Sequence, residues 1–451
     1  MSDLPDGWEW TTLSEIADTT LGKMLDRGKS TGRNLVPYLR NLNVQWGRFD
    51  LNDVSTMEIP PDQQAYFKVE SGDLLVCEGG EIGRCAIWPG GAGYMAFQKA
   101  LHRVRPFEGI EARYLRYLLE YLSATEGLAS LATGSTIKHL PQQQLRRLPV
   151  PLAPTNEQRR IVTALEDHFS RIDSSDRSLS LASKRVRALR ASILTAAVED
   201  EVAGCPRFRL DELSYDSGYG TSLKCSQDGA GIPVLRIPNI QNGTIDLGDL
   251  KRVIDPSVKL DDLYVREGDV LFVRTNGSRD LIGRTAVVRN DLDMAFASYL
   301  IRFRLRVDLV LPEWVQLVTQ SPRCRRYLES MAASSAGQYN LSISKLSTVE
   351  IPVPPIDEQR RILDISTDRL AAVFRLQSTI RMAYLRKDQL RRSLLDEAIS
   401  GRLVPQDMND EPASDLLDRI RSKRQTVSQA KRVRRPARKP IENSSPQETL
   451  L

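Results

Sequence analysis

The sequence predicts a mixed α/β fold built twice. Two repeated globular units should be separated by two long antiparallel, coiled-coil-like helices, with pseudo-two-fold symmetry inside one chain. Three observations lead there. The chain repeats itself from near its start to beyond residue 400, two forty-residue stretches carry an apolar stripe at helical spacing, and the rest is punctuated by short strand-like runs.

The repeat is the first element to justify. "APTNEQRRIV" (Ala153 to Val162) and "PPIDEQRRIL" (Pro354 to Leu363) share a Glu-Gln-Arg-Arg-Ile core 201 residues apart. The same offset relates "RASILTAAV" (Arg190 to Val198) to "RRSLLDEAI" (Arg391 to Ile399). An offset that survives some forty residues means that no insertion was tolerated, as in a continuous helix, where one added residue turns everything beyond it by about 100°.

The apolar pattern agrees. Leu165, Ile172, Leu179, Val186 and Ile193 recur every seven residues, with Ile161, Ala182, Leu189 and Ala196 on the companion position. The second copy carries Ile362, Val373, Leu376, Ile380, Ala383, Leu390 and Leu394, interrupted by Lys387. Both read as amphipathic helices with a narrow seam, each about 60 Å long and each needing a partner. Proline-rich stops, "PVPLAP" and "PVPP", precede them, and Asn156 and Asp357 are the expected N-caps.

The globular units repeat as well. "PYLRNLNVQWGRFDLND" (Pro37 to Asp53) matches "PVLRIPNIQNGTIDLGD" (Pro233 to Asp249), pairing Arg40 with Arg236 and Asn43 with Asn239. "SGDLLVCEGGEIGRCAI" (from Ser71) matches "EGDVLFVRTNGSRDLIGRTAV" (from Glu267), with four extra residues in the second loop. "GSTIKHLPQQQLRRLPVP" (from Gly134) matches "GQYNLSISKLSTVEIPVP" (from Gly337) at an offset of 203, which makes the first copy two residues longer before its helix. Compact apolar runs such as "DLLVC", "DVLFV" and "YLIRFRLR" between Gly, Asp and Asn read as short strands, followed by a helical stretch, "EARYLRYLLEYL" or "PEWVQLVTQSPRCRRYLESM". The expected segments are residues 1–152 and 204–353 as globular units, 153–203 and 354–405 as helices, and 406–451 as a tail.

Composition narrows the chemistry. No run of eighteen apolar residues exists and the N-terminus lacks a secretory pattern, so the cytoplasm is the default expectation. Five scattered cysteines form no CxxC pair, and three histidines (His102, His139, His168) are too dispersed for a ligand set, so no metal is expected. Phosphate-loop, dinucleotide-binding and amino-methyltransferase signatures are missing, and no catalytic constellation stands out. The net charge of +5 is carried by residues 421–440, which hold nine Lys or Arg and no acid. That segment reads as a disordered arm, a solubilising tail or an electrostatic contact for nucleic acid.

Two non-catalytic siblings on a stiff spacer suit a two-fold ligand such as duplex DNA. At this point "IPVPPIDEQRRIL", "LPVPLAPTNEQRRIV", "LPDGWEWTTLSEI" and "AISGRLVPQ" together resemble the DNA specificity subunit of type I restriction-modification systems, over residues 1 to about 406. The resemblance implies that each globular unit is a target recognition domain reading half of a bipartite, asymmetric site in double-stranded DNA. It implies a spacer that also docks two methyltransferase subunits, and two restriction subunits in the full complex. S-adenosylmethionine, ATP and Mg2+ would sit on those partners and none on this chain, which would be non-catalytic. The alternative is an orphan DNA-binding or coiled-coil adaptor without partner enzymes.

Candidate DNA contacts follow from the repeat. Arg40, Asn43, Arg236 and Asn239 occur in both copies, which fits a structural or phosphate-contacting role better than base reading. Residues that differ inside matched loops are better readers: Glu78 with Glu81 against Arg274, Asn276, Ser278 and Arg279, and Lys138 and His139 against Gln338, Tyr339 and Asn340. Arg can pair bidentately with guanine, Asn or Gln with adenine, and Glu can accept from cytosine.

Overall fold

A computed structural model describes residues 4–25, 31–91, 93–134, 138–241, 243–335 and 337–433. The chain forms two compact units, one running to Asp176 and resuming at Tyr384, the other spanning Arg177–Ala383. These units cut across the five expected segments, because each long helix begins in one unit and ends in the other.

In the first unit, four antiparallel strands lie in the order Ala17–Leu21, Leu101–Pro106, Leu74–Cys77, Cys85–Ile87. The second unit repeats this with Ser214–Tyr219, Leu300–Leu305, Val270–Val273 and Thr285–Val287. The alternating side chains of the central strand feed two cores in each unit. Leu74 and Val76 face the helix Ala112–Ala124, and Leu75 and Cys77 face a smaller core with Phe97 and Trp88. Val270 and Phe272, against Leu271 and Val273, divide in the same way. A smaller sheet, Ser55–Glu58, Leu35–Leu39 and Ala96–Phe97, lies beyond, and its counterpart in the second unit has four strands.

Close approach of the backbone explains one glycine pair. A Cβ on Gly22 would sit 2.2 Å from the Gln98 carbonyl oxygen, and on Gly220 it would sit 2.0 Å from that of Phe296. Gly72 and Gly268 adopt φ of +88° and +84° in the turns that precede the central strands. Beside them Asp73 and Asp269 accept from the backbone N–H of Glu70 and Arg266 and pair with Arg105 and Arg304.

The duplicated Glu-Gln tag closes each unit. Gln158 is fully buried; its side-chain oxygen accepts from the Glu111 N–H (2.9 Å) and its amide donates to the Ala153 carbonyl (2.8 Å). Gln359 does the same with the Leu311 N–H (2.9 Å) and the Pro354 carbonyl (2.8 Å). One side chain therefore ties the start of each long helix to the loop that precedes the unit's sheet-packing helix, and it supplies partners to backbone groups that would otherwise be buried without any.

The helices run Thr155–Thr195 and Ile356–Ile399. Both start before the expected caps, so Asn156 and Asp357 lie inside the first turn, and the fixed φ of Pro154 and Pro355 leads into the helices. Within the first unit they run antiparallel: Asp176 meets Lys387 at 2.6 Å, and Asp173 lies 3.7 Å from Arg391.

Of the expected seam, Ile161, Leu165, Ile172, Val186, Ile362 and Val373 are buried, and Leu179, Ile193, Ile380 and Leu394 are half-buried. Leu189, Leu376 and Leu390 are corrections, at 47%, 48% and 51% exposed. The reason is the period. Near the globular cores the buried set is Ile161, Leu165, Phe169 and Ile172, spaced for a straight helix, and Leu194 and Leu395 take the core places next to Ile193 and Leu394. A strict seven-residue count drifts off that face.

Two further expectations change. The segment before each long helix aligns at an offset of 201, so the first copy is not two residues longer. Leu140 and Leu341 donate from equivalent places to the Glu78 and Arg274 carbonyls, and Val150 and Ile351 are the buried residues of matching edge strands. The tail is also partly structured. Ala413–Val433 is a helix whose Ala413, Leu416, Leu417 and Ile420 are buried in the first unit's core. Arg421 and Lys423 reach Glu15 and Glu108 at 3.1 and 2.7 Å, and the loop before the helix is held by Arg160–Asp410 at 2.7 Å. The apolar spacing i, i+3, i+4, i+7 outweighs the polar composition. Residues 434–451 lie outside the described residues.

Candidate nucleic-acid interface

The strand Leu74–Cys77 runs into the first candidate loop. Glu78 follows at once, half-buried, with its N–H donating to Ala100 (3.0 Å) and its carbonyl accepting from Leu140 (2.7 Å). Gly79 bridges to His139, whose ring lies so close that a Cβ on Gly79 would be 3.0 Å from Nδ1. The two loops singled out in the sequence are thus neighbours. The remainder of the loop is braced: Asn41 donates to the Gly79 carbonyl (2.7 Å), Arg84 pairs with Glu81 (3.2 Å), and the Trp46 indole donates to Glu81 (2.6 Å). Lys138 and His139 point outward. Ser135 to Ile137 of the same stretch lie outside the described residues.

The second unit brings its pair together by true strand pairing. Thr275 registers with Asn340 and Asn276 with Tyr339, and Ala333–Ser335 adds a third strand. The Asn340 side-chain oxygen accepts from the Thr275 hydroxyl (2.7 Å), and that of Asn276 accepts from the Ser278 N–H (2.8 Å). Among the described residues, both amide nitrogens keep their donors. Arg274 lies 4.6 Å from the Tyr219 ring centre and makes long contacts of 3.3 and 3.5 Å to the Leu341 and Ser298 carbonyls. Ser278, Arg279 and Gln338 are exposed, with Arg279 touching the Glu329 carbonyl at 3.3 Å.

Asn43 and Asn239 are corrections as DNA contacts, while Arg40 and Arg236 are half-buried beside them. Asn43 is fully buried and Asn239 is 1% exposed. Each accepts from the backbone N–H of the arginine three residues before it, at 2.9 and 2.8 Å, and donates to two carbonyls, Asp50 and Asp53 or Asp246 and Asp249. The arginines fold onto the same loops, Arg40 to Asp53 (2.7 Å) and Arg236 to Asp249 (2.9 Å). These four build a twin turn, and the polar groups of the two asparagines are spent inside it.

Other titratable groups are structural. His102 is buried, its Nε2 sits 2.8 Å from the Leu140 carbonyl, and burial pushes its pKa down, which keeps the imidazole neutral. Burial pushes the Cys77 thiol up to about 11 and Cys324 up to about 12, which leaves neither a ready nucleophile. Among the described residues, no group of three His, Cys, Asp or Glu could hold a metal ion.

Three exposed residues beside the loops escaped the sequence reading: Tyr219 and Tyr299 in the second unit and Lys99 in the first. Tyr299 occupies the place of Ala100, since its carbonyl accepts from Arg274 as that of Ala100 does from Glu78. Comparing the copies position by position beyond the loops would have exposed that difference.

A family model described as type I restriction modification DNA specificity domain matches residues 5–180 and 207–380. The chain is 23% identical to the EcoKI specificity subunit of Escherichia coli K12, over 93% of this chain and 96% of that one. It is 24% identical to the StySPI specificity subunit of Salmonella potsdam, over 96% and 98%. Among solved structures, a chain from a study of complex assembly and conformational transition in a type I R-M system superposes with a TM-score of 0.69 at 21% identity, over 89% of this chain and all of that one. The HsdS subunit of Thermoanaerobacter tengcongensis gives 0.52 at 20% identity, over 89% and 98%.

Proposed function

The chain belongs to the type I restriction-modification DNA specificity family, and we propose that it reads a bipartite, asymmetric duplex target with one half-site per globular unit. The observation that carries this is the paired loops. In both units, the loop after the central strand is joined to the segment before the next short helix, through Gly79 and His139 or through Thr275–Asn276 and Tyr339–Asn340. The scaffold under the pair is the same twice, and the side chains on it differ. A reader of two unlike half-sites needs that combination.

The second unit offers Arg279, Gln338 and the amides of Asn276 and Asn340 to base edges, with Ser278 beside them; the first offers Glu78, Lys138 and His139. Arg274, braced by Tyr219, supports the loop and presents one face outward. The long helices set the gap between the half-sites. Their exposed apolar residues, Leu181, Leu189, Phe374, Leu376 and Met382 in the second unit and Leu385 and Leu390 in the first, dock two methyltransferase subunits. Two restriction subunits complete the enzyme. Methylation of adenine with S-adenosylmethionine, and ATP- and Mg2+-dependent restriction, belong to those partners. This chain contributes recognition and assembly and no catalysis.

Genome-wide mapping of adenine methylation with and without the gene tests the reading. One bipartite motif should vanish on deletion. Loss of no motif would leave the orphan adaptor as the better description.

A further inference from the structure

Four arginines converge on one cavity of the second unit. Arg187 and Arg190 come from the first long helix, Arg284 from the edge strand's turn and Arg325 from the helix Pro322–Met331. Gln320, Gln377, Thr285 and Thr319 are the other polar side chains lining a space of about 570 Å³. None of the described lining residues is a carboxylate. Arg190 donates to the Gln320 side-chain oxygen at 2.7 Å, and burial, then the nearby Arg325, depress its pKa. Arg325 also meets Glu329 at 3.3 Å.

The first unit contains the same corner, and there the charge is balanced. Arg391, at the repeat position of Arg190, donates to Glu120 at 3.0 Å, lies 3.7 Å from Asp173 and stacks 4.1 Å from the centre of the Phe169 ring. Glu120 also pairs with Arg116 at 3.2 Å, and Lys387 pairs with Asp176 at 2.6 Å. In the second unit Gln320 stands where the first has Glu120, Gln377 where it has Asp176, and Arg187 where it has Asp388. Each of these exchanges removes negative charge and the last adds a cation, against two cations lost where Gln316 and Val186 stand in place of Arg116 and Lys387. Guanidinium groups do not shed their protons to relieve this, and Arg190, partly desolvated, meets a neutral amide where Arg391 meets a carboxylate.

We propose that this cavity of the second unit binds a phosphate oxyanion. Guanidinium forks arriving from three elements suit a multiply charged, three-oxygen group better than a single carboxylate. The volume is in the range of small-molecule sites, about 300–1,000 Å³. The same chemistry could come from a DNA backbone phosphate or from a free phosphate-bearing small molecule. This goes beyond the half-site reading, and its first test uses neither DNA nor partner subunits.

The test uses the purified full-length chain. Inorganic pyrophosphate binding is measured by calorimetry against chloride at matched ionic strength, for the wild type, Gln320→Glu and Arg187→Gln. Gln320→Glu places beside Arg190 the acid that the first unit carries beside Arg391, so the fold has a precedent for it. Each variant should weaken pyrophosphate about tenfold or more, as for one lost charge-assisted contact. Duplex binding over a salt series separates the sources. If the phosphate is that of DNA, Gln320→Glu weakens duplex binding and lowers the salt slope by about one; if it is a free ligand, duplex binding stays unchanged. Equal pyrophosphate binding by the wild type and Gln320→Glu, or no pyrophosphate binding together with an unaltered salt slope, overturns the proposal. So does a variant that changes only methyltransferase binding, because the cavity would then take a partner's carboxylate.

Discussion

The two units share a backbone plan and differ where the plan meets solvent. Asn43 and Asn239 make the same three hydrogen bonds, Gln158 and Gln359 the same clamp, and Gly22 and Gly220 the same close pass of the backbone. Against that constancy, Glu78 faces Arg274, Gly79 faces Thr275, and Lys138 faces Tyr339. Duplication inside one chain thus works as an internal control. On the proposed reading, what both copies keep serves folding, and what they change on a kept scaffold serves recognition.

The largest expected effect comes from breaking what is shared. Gly220→Ala forces a Cβ against the Phe296 carbonyl oxygen and should cost about 3 kcal/mol, with Gly22→Ala costing a similar amount in the first unit. Thermal unfolding of both variants checks this, and unequal losses would break the equivalence of the units. Asn239→Ala and Asn43→Ala each remove a buried side chain that makes three hydrogen bonds to the backbone of its turn and should cost about 2 kcal/mol. The methylated sequence should stay the same in either variant.

Sharpening comes from what differs. Arg279→Ala should lose about 1–3 kcal/mol of discrimination at one base pair of one half-site. Competition binding with single-base variants reads this, and uniform weakening across all sites would assign Arg279 to phosphate instead. Truncating the exposed Leu189 or Leu376 to Ala should shift stability by no more than about 0.5 kcal/mol and weaken methyltransferase binding. A deeper loss of stability would return them to the intramolecular seam.

The C-terminal helix marks another contrast, since it belongs to the first unit's core. Asp410, held below the ordinary carboxylate range chiefly by its hydrogen bond from Arg160, and Glu15, held there by Thr11 and then Arg421, contribute docking while ionised. A depressed folded pKa gives stability that is present above the unfolded value and lost as pH falls through the folded one. Amide protection factors in the Ala413–Val433 helix, corrected for the intrinsic pH dependence of exchange, should therefore fall below the ordinary carboxylate range, before those of the sheets. Protection factors that do not depend on pH there would assign the docking to Leu416, Leu417 and Ile420 alone.

Much of this was legible in the sequence, for identifiable reasons. Constant offsets exposed the helices because insertions rotate a helix, and the Asp/Gly-bounded apolar runs exposed the strands. The loops that meet in space were found by difference between the copies. What failed was geometric. A seven-residue count misassigned Leu189, Leu376 and Leu390, because the buried faces follow straight-helix spacing. The charge of the tail hid the spacing of Ala413, Leu416, Leu417 and Ile420. Asn43 and Asn239, polar and repeated, looked available to DNA, and only burial shows that their donors and acceptors are spent on the chain itself. Tyr219 and Tyr299 reach the loops through sheet pairing, which no local pattern records.

The most direct measurement is a hybrid. Residues 1–152 are exchanged for those of a relative with a different target, and adenine methylation is mapped across the genome. One half of the bipartite motif should change while the other half and the gap between them stay fixed. A change in both halves, or in the gap alone, would contradict the assignment of one half-site to each unit.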